Sequence, residues 1–247
     1  MSGPPPAWSG AAGIARGPRP DGSSCLSPLA SCLLPLASNL TAMKTFRMYP
    51  TSLNRGYLDQ IVEILSRGGV IIYPTDSLYA IGCDALHNRA VERVCRIKGI
   101  NPAKQRLAVC CASISQASEY AQISNKAFRI LKENLPGPFT FILPGTTKLS
   151  KAFKGRKEVG VRVPDNPIAT AIAELLGHPL LTASAEWDEI DPSEASRPEV
   201  VEMKYGKDVD AFVDGGDTPD TPSAIVSLID PDDPEVLREG PVPLSES

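Results

Sequence analysis

Val70-Ile71-Ile72-Tyr73-Pro74-Thr75-Asp76-Ser77-Leu78-Tyr79 is the stretch on which the fold turns. Its four leading residues are apolar and end on a proline, so 70–73 reads as a short central strand buried on both faces. Pro74 cannot donate to a ladder and stops the strand. The polar triplet Thr75-Asp76-Ser77 follows at the strand's end, where α/β proteins build their pockets. Immediately before it, Gly68-Gly69 closes a helix expected over 53–66, with Tyr57, Leu58, Ile61, Ile64 and Leu65 recurring on one face.

Strands and helices alternate downstream. A helix is expected over 88–98 with Asn88 as N-cap, then a strand over 107–112 and helices over 115–120 and 124–134. Strands over 139–143 and 159–163 precede a helix opened by Asn166-Pro167 and closed by Gly177. A strand over 180–183, a helix over 198–205, a strand over 211–214 and a strand over 223–229 with a partner near 235–238 complete the pattern. This alternation predicts an α/β domain.

The chain has 247 residues, 42% of them hydrophobic, enough for one full core. No run of 18 apolar residues occurs, so no segment reads as membrane-spanning. The formal net charge of -4 hides an asymmetry: 43–184 holds 19 Lys/Arg against 10 Asp/Glu, and 185–247 holds 4 against 18. The basic part could attract nucleotides or RNA, or the two parts could complement each other across one surface. Six scattered cysteines without CxxC spacing and two distant histidines argue against zinc and for free thiols in a reducing compartment. Cys110 and Cys111, adjacent in a strand, should face opposite sides.

Residues 1–42 read differently. Pro4-Pro5-Pro6 and Gly17-Pro18-Arg19-Pro20 interrupt periodicity, and only Arg16, Arg19 and Asp21 are charged, the composition of a disordered tail. A signal peptide, an organelle-targeting tail and an upstream extension before a start at Met43 are three readings, of which the third is favoured. The domain is expected over 43–247. Localisation is then cytoplasmic, or organellar if 1–42 is a targeting segment.

Several polar groups interrupt or end apolar segments. Thr75 and Ser77 offer hydroxyls to a carboxylate, an amino acid or a phosphate; Asp76 could orient a cation or close an Asx-turn. Lys98, Lys104 and Arg106 flank Gly99 and Pro102 and could neutralise phosphates or form a solvated loop. Arg162, between Val161 and Val163, faces opposite to both and needs an anion or a buried acid. Ser184 and Ser223 could cap or bind phosphate. Glu186, Asp188, Glu189 and Asp191 read as a solvated acidic loop rather than a magnesium site, and Trp187 among them could stack on a base or pack beneath the loop. No Walker A loop, Rossmann GxGxxG or GxSxG elbow occurs, which argues against those nucleotide folds and against a Ser–His–acid hydrolase.

The segment 74–85 resembles the opening motif of the YrdC domain. The similarity continues through Ile97-Lys98-Gly99, Leu135-Pro136-Gly137-Pro138-Phe139-Thr140, Val161-Arg162-Val163-Pro164, Ser184-Ala185, Pro222-Ser223-Ala224-Ile225-Val226 and Arg238-Glu239-Gly240. The family comprises the threonylcarbamoyl-AMP synthases and their YciO-type relatives. The resemblance implies a single α/β domain with a twisted mixed sheet flanked by helices and a concave basic cavity. It implies L-threonylcarbamoyladenylate synthesis: threonine and bicarbonate form a carbamate that attacks the α-phosphorus of ATP, releasing pyrophosphate, for t6A modification of tRNA. The alternative is a YciO-type nucleotide- or RNA-binding protein without this synthase activity, with tRNA or double-stranded RNA as partner. The resemblance implies ATP with Mg2+ as the substrate complex and no protein-held metal. It also implies Lys98 and Arg162 as catalytic groups, Thr75, Ser77 and Lys104 on the threonine side, and Ser184, Ser223 and Arg238 on the nucleotide side, where Arg106, itself outside the family pattern, could add a cation.

Four positions depart from the synthase pattern. Ile100 stands where Lys-x-Arg would place arginine, Glu186 where Ser-Ala-Asn would place asparagine, and Gln105-Arg106 where proline-leucine is usual. An apolar side chain cannot neutralise an anion, and a glutamate repels one. Arg106 could restore the charge missing at Ile100. These departures resemble the YciO side of the family.

Overall fold

The computed structural model describes residues 43–245, except Ala103, Ser150, 154–156 and 188–189. The expectations for 1–42, and for Asp188 and Glu189 of the acidic loop, lie outside the described residues. The elements run β1 (Lys44–Arg47), α1 (Arg55–Ser66), β2 (Val70–Tyr73), β3 (Ala80–Asp84), α2 (Asn88–Ile97), β4 (Ala108–Cys110), α3 (Ile114–Ala117), α4 (Asn125–Asn134), β5 (Phe139–Pro144), β6 (Glu158–Arg162), α5 (Pro167–Leu176), β7 (Leu180–Ser184), α6 (Pro192–Ala195), α7 (Pro198–Tyr205), β8 (Ala211–Asp214), β9 (Ala224–Ser227) and β10 (Glu235–Arg238).

The strands form one mixed sheet in the order β1-β8-β2-β3-β7-β4-β6-β5-β9-β10. Pairs β1–β8, β8–β2, β4–β6 and β5–β9 are parallel; the other neighbours are antiparallel. Alternation along the strands creates two separate cores. Val70, Ile72, Ile81, Val109, Phe141, Val161 and Leu181 face a large core that takes in residues of α2, α3, α4 and α7. Ile71, Tyr73, Ala80, Cys110, Leu180, Ala211 and Val213 face a smaller one closed by α1 and α5. Cys110 and Cys111 enter opposite cores, as the strand period requires. Full burial of each such aliphatic or aromatic side chain contributes roughly 1.5–3 kcal/mol before entropy is subtracted.

Most boundaries follow local chemistry. Asn166 caps α5 by accepting from the N–H groups of Ile168 and Ala169, and Gly177 ends it in the left-handed region. One cap differs from expectation: the His87 side chain accepts from Ala90 N at α2, while Asn88 Oδ1 accepts from Lys151 N. Strands β1 and β3 and the short α6 had no sequence signal. All five residues of Ala80-Ile81-Gly82-Cys83-Asp84 are buried, so the strand has no polar face to alternate.

The charge asymmetry resolves partly into pairs across the chain: Arg47–Asp214, Arg93–Asp210 and Lys126–Asp232. Arg93–Asp210 is half-exposed and Lys126–Asp232 exposed, each contributing about 0–1 kcal/mol, whereas the exposed Arg47 reaches a buried Asp214. No helix among the described residues is long and apolar enough to cross a membrane.

Candidate functional site

The helices α1 and α5 cover only part of their face of the sheet. On the remainder, Thr182 and Ser184 of β7, Ala108 of β4, Arg162 of β6, Thr140 and Ile142 of β5 and Ile225 of β9 form the floor and walls of a cavity of about 450 Å³. Its size falls within the roughly 300–1,000 Å³ usual for small-molecule sites. The floor is low because small residues meet there. A Cβ on Gly160 would lie 2.9 Å from Ala108 Cβ and 3.1 Å from Thr140 Cγ2, closer than carbon atoms pack.

Lys104, Gln105 and Arg106 enter the rim from the loop before β4; Ser223, Leu237 and Arg238 form the opposite wall. Six of the nine residues expected at a site therefore converge: Lys104, Arg106, Arg162, Ser184, Ser223 and Arg238. Arg238 is set by close backbone approach. A Cβ on Gly240 would collide with the backbone nitrogen of Ala224, so only glycine lets the chain return over β9. Arg238 then donates from Nε and Nη2 to the Ser223 carbonyl at 3.0 and 2.9 Å. Burial lowers its pKa from the usual arginine value, opposed by nearby Glu186. Ser223 is buried and its hydroxyl lies 3.1 Å from that of Thr140.

Thr75 and Ser77 stand behind Arg162 rather than on the cavity wall. Thr75 Oγ1 donates to the Leu78 carbonyl at 2.7 Å and accepts from Ser77 N at 3.1 Å. Arg162 Nη2 donates to Ser77 Oγ at 2.8 Å and to Asp76 Oδ1 at 3.0 Å. Asp76 Oδ2 also accepts from Asp165 N at 2.9 Å. The local turn is thus made by the Thr75 hydroxyl, not by an Asx-turn at Asp76. Both partners of the Arg162–Asp76 pair are about nine-tenths buried, so Arg162 has its buried acid while still facing the cavity.

Lys98 lies outside the cavity lining. Its Nζ donates to the Glu186 carbonyl and, at 3.1 Å, to Tyr205 Oη. Burial pushes the Tyr205 phenol up to about 12. Ile100 is turned the other way and packs against the large core. Arg106 reaches the rim with its Nε 2.8 Å from Glu158 Oε2. Trp187 packs edge-on against Tyr205, with Lys204 over its ring, which answers the choice left open for it.

Thr140, Thr182, Ile142 and Ile225 were not anticipated in the sequence. A signal for the threonines existed: each is the lone hydroxyl between apolar neighbours, in Phe139-Thr140-Phe141 and Leu181-Thr182-Ala183, and so points away from the core. A larger groove of about 1050 Å³, lined by residues such as Leu53, Ile114, Phe128 and Val163, contains none of the expected residues. The smaller cavity is where the polar groups converge. Among the described residues no cluster of three or more His, Cys, Asp or Glu could hold a metal ion.

Residues 63–240 match the Sua5_yciO_yrdC family, which carries the description "Telomere recombination". The chain belongs to the Sua5/YciO/YrdC family. The protein YciO of Escherichia coli K12 is 40% identical over 202 residues, covering 79% of this chain and 94% of that protein. The E. coli YciO crystal structure superposes with a TM-score of 0.76 at 37% identity, covering 83% of this chain and 98% of that one. The threonylcarbamoyl-AMP synthase of Pyrococcus abyssi is 33% identical over 184 residues, 74% of this chain and 53% of that protein. The structure of P. abyssi Sua5 complexed with L-threonine gives a TM-score of 0.71 at 26% identity, covering 83% of this chain and 59% of that one. The Sua5/YciO/YrdC fold accounts for the single mixed sheet flanked by helices.

Proposed function

We propose that this protein is a YciO-type nucleotide-binding member of the family that lacks threonylcarbamoyl-AMP synthase turnover. The observation that carries the reading is the convergence of Lys104, Arg106, Arg162, Ser184, Ser223 and Arg238 on one cavity. Four cations and two hydroxyls on one concave surface suit a phosphate, and Ile142, Ile225 and Leu237 supply apolar wall for a base. In this reading the cavity serves as the concave basic site that the resemblance implies.

The synthase reaction asks for more. It must hold ATP, an amino acid and bicarbonate together and stabilise charge on departing pyrophosphate. Ile100 is partly buried against the large core where the synthase pattern has a cation. Thr75 and Ser77, expected to hold threonine, spend their hydroxyls on the Leu78 carbonyl and on Arg162. The 40% identity to YciO points the same way. The synthase reading draws on the retained Lys98, Arg162 and Ser184 and on the similarity to the P. abyssi synthase. In that reading Lys98 and Arg162 are the catalytic groups, and magnesium is carried by ATP phosphates.

Titration calorimetry with ATP and AMP tests the site. Lys104→Met and Arg238→Met should each weaken nucleotide binding by about tenfold or more, the loss of a charge-assisted contact. Lys126→Met, whose amine pairs with Asp232 outside the cavity, should not. Unchanged affinity in both cavity variants would remove the cavity as the nucleotide site.

A further inference from the structure

One hydroxyl of the cavity is held from behind. Tyr73 ends β2 and is fully buried. Its ring crosses β3 over Gly82, where an added Cβ would lie 2.8 Å from Tyr73 Cε1. Gly82 stands opposite Thr182 in the β3–β7 ladder, so the phenol arrives beside Thr182. Tyr73 Oη donates to Thr182 Oγ1 at 2.9 Å. Burial raises the Tyr73 pKa well above the usual phenol value, so the proton is always there to give. The Cys110 thiol also borders the phenol, and burial keeps it protonated as well. A thiol sulfur is a weaker acceptor than a hydroxyl oxygen, so Thr182 takes the phenolic proton.

A hydroxyl has a single proton to donate. Because Thr182 Oγ1 accepts from Tyr73, its own proton is left for another partner. Among the described residues Tyr73 is the one partner of the Thr182 hydroxyl, and Thr182 lines the cavity. Its proton is therefore directed at whatever the cavity holds. The other hydroxyl pair of the lining differs. Thr140 Oγ1 and Ser223 Oγ lie 3.1 Å apart and either can donate, so that pair adapts to a donor or an acceptor. Thr182 does not adapt, because turning its proton toward Tyr73 would set two donors against each other.

This step rests on the nucleotide reading above. We infer that Tyr73 is a positioning residue of the cavity: it holds Thr182 as a hydrogen-bond donor, and Thr182 gives its proton to a phosphate oxygen of the nucleotide. Arg162 faces the same cavity and supplies charge. Thr182 supplies polarity, accepting an oxygen with lone pairs and rejecting a group that can only donate, such as the amino group of a base.

The test is calorimetric titration of the full chain with AMP, for the natural protein, Tyr73→Phe, Thr182→Val, Thr182→Ser and the Tyr73→Phe/Thr182→Val double variant. Phenylalanine keeps the buried ring and removes one oxygen, and circular dichroism checks that each variant is folded. Thr182→Val should weaken AMP binding by about tenfold and Tyr73→Phe by about fivefold, within the range of a hydrogen bond to a charged oxygen. Thr182→Ser, which keeps the hydroxyl, should stay within about twofold of the natural protein. The double variant should match Thr182→Val, because Tyr73 acts through Thr182. The affinity of adenosine, which has no phosphate, read by competition with AMP, should be the same in Tyr73→Phe as in the natural protein. A Tyr73→Phe effect below about twofold, or losses that add in the double variant, overturns the positioning role and leaves the nucleotide site standing. An equal loss for adenosine overturns the contact with phosphate. If the natural protein binds neither AMP nor ATP, the nucleotide site falls and this inference with it.

Discussion

Asp76→Ala should be among the most damaging single changes near the cavity. It removes the acid 3.0 Å from Arg162 in a pair whose side chains are only 8% and 9% exposed. Removing one partner of a buried pair costs about 3–5 kcal/mol, because the remaining charge is left uncompensated. Arg162 keeps its bond to Ser77 and its opening to the cavity, which argues for the lower end. The N–H of Asp165 also loses its acceptor, adding about 1 kcal/mol. A loss of about 3–4 kcal/mol in a chain of this size lowers Tm by about 10 °C. The assay is urea unfolding at neutral pH followed by circular dichroism, for Asp76→Ala, Arg162→Met and the double variant. The double variant removes the orphaned charge, so its loss should fall short of the summed single losses by about 1–3 kcal/mol. A loss below about 1 kcal/mol for Asp76→Ala, or simple additivity, would refute the claim that the pair is a buried, mutually dependent unit.

Other expectations follow from the same geometry. Gly240→Ala should displace β10 and weaken nucleotide binding about as much as Arg238→Met, since the added methyl meets the Ala224 backbone; unchanged binding would show that the strand can yield. Arg106→Met should weaken binding less than Arg238→Met, because Glu158 already neutralises Arg106; the reverse order would restore Arg106 as the replacement for a cation at position 100. Burial pushes the Cys110 thiol from 9.0 to about 12 and raises Cys83 and Cys111 above the usual thiol range. The fold favours their neutral forms, so this contribution is complete below pH 9 and is lost as pH rises from 9 towards 12. Urea midpoints should fall between pH 8 and pH 10.5, and site-resolved alkylation at pH 8 should leave Cys83, Cys110 and Cys111 unlabelled until urea is added. A flat midpoint or native-state labelling of these thiols would contradict their burial.

The sequence made the fold's middle legible and its edges less so. Val70–Tyr73, Phe139–Pro144 and Leu180–Ser184 carry apolar runs bounded by turn residues, and they lie at or near the positions expected. By contrast, β3 is buried along its whole length and includes Gly82, so neither alternation nor propensity marks it. At the site, charge and position in or beside strands were enough to bring out Arg162, Ser184 and Ser223, and the family resemblance added Arg238. They could not reveal which cations have acids beside them. Arg106 and Glu158 are far apart in sequence and meet only when β4 and β6 pair in parallel with Ala108 opposite Gly160. Thr75 and Ser77 show the same limit in reverse: their motif is plain, but their hydroxyls turn inward to support Arg162.

The central claim is a nucleotide cavity without synthase turnover. Its most direct test is to incubate the protein with ATP, bicarbonate and threonine, following pyrophosphate and the acyl-adenylate together against a control lacking threonine. Neither product should form in a threonine-dependent way, although the same preparation binds nucleotide by calorimetry. Threonine-dependent release of pyrophosphate with matching threonylcarbamoyl-AMP would contradict the account and make Ile100 and Glu186 tolerated residues of a working synthase.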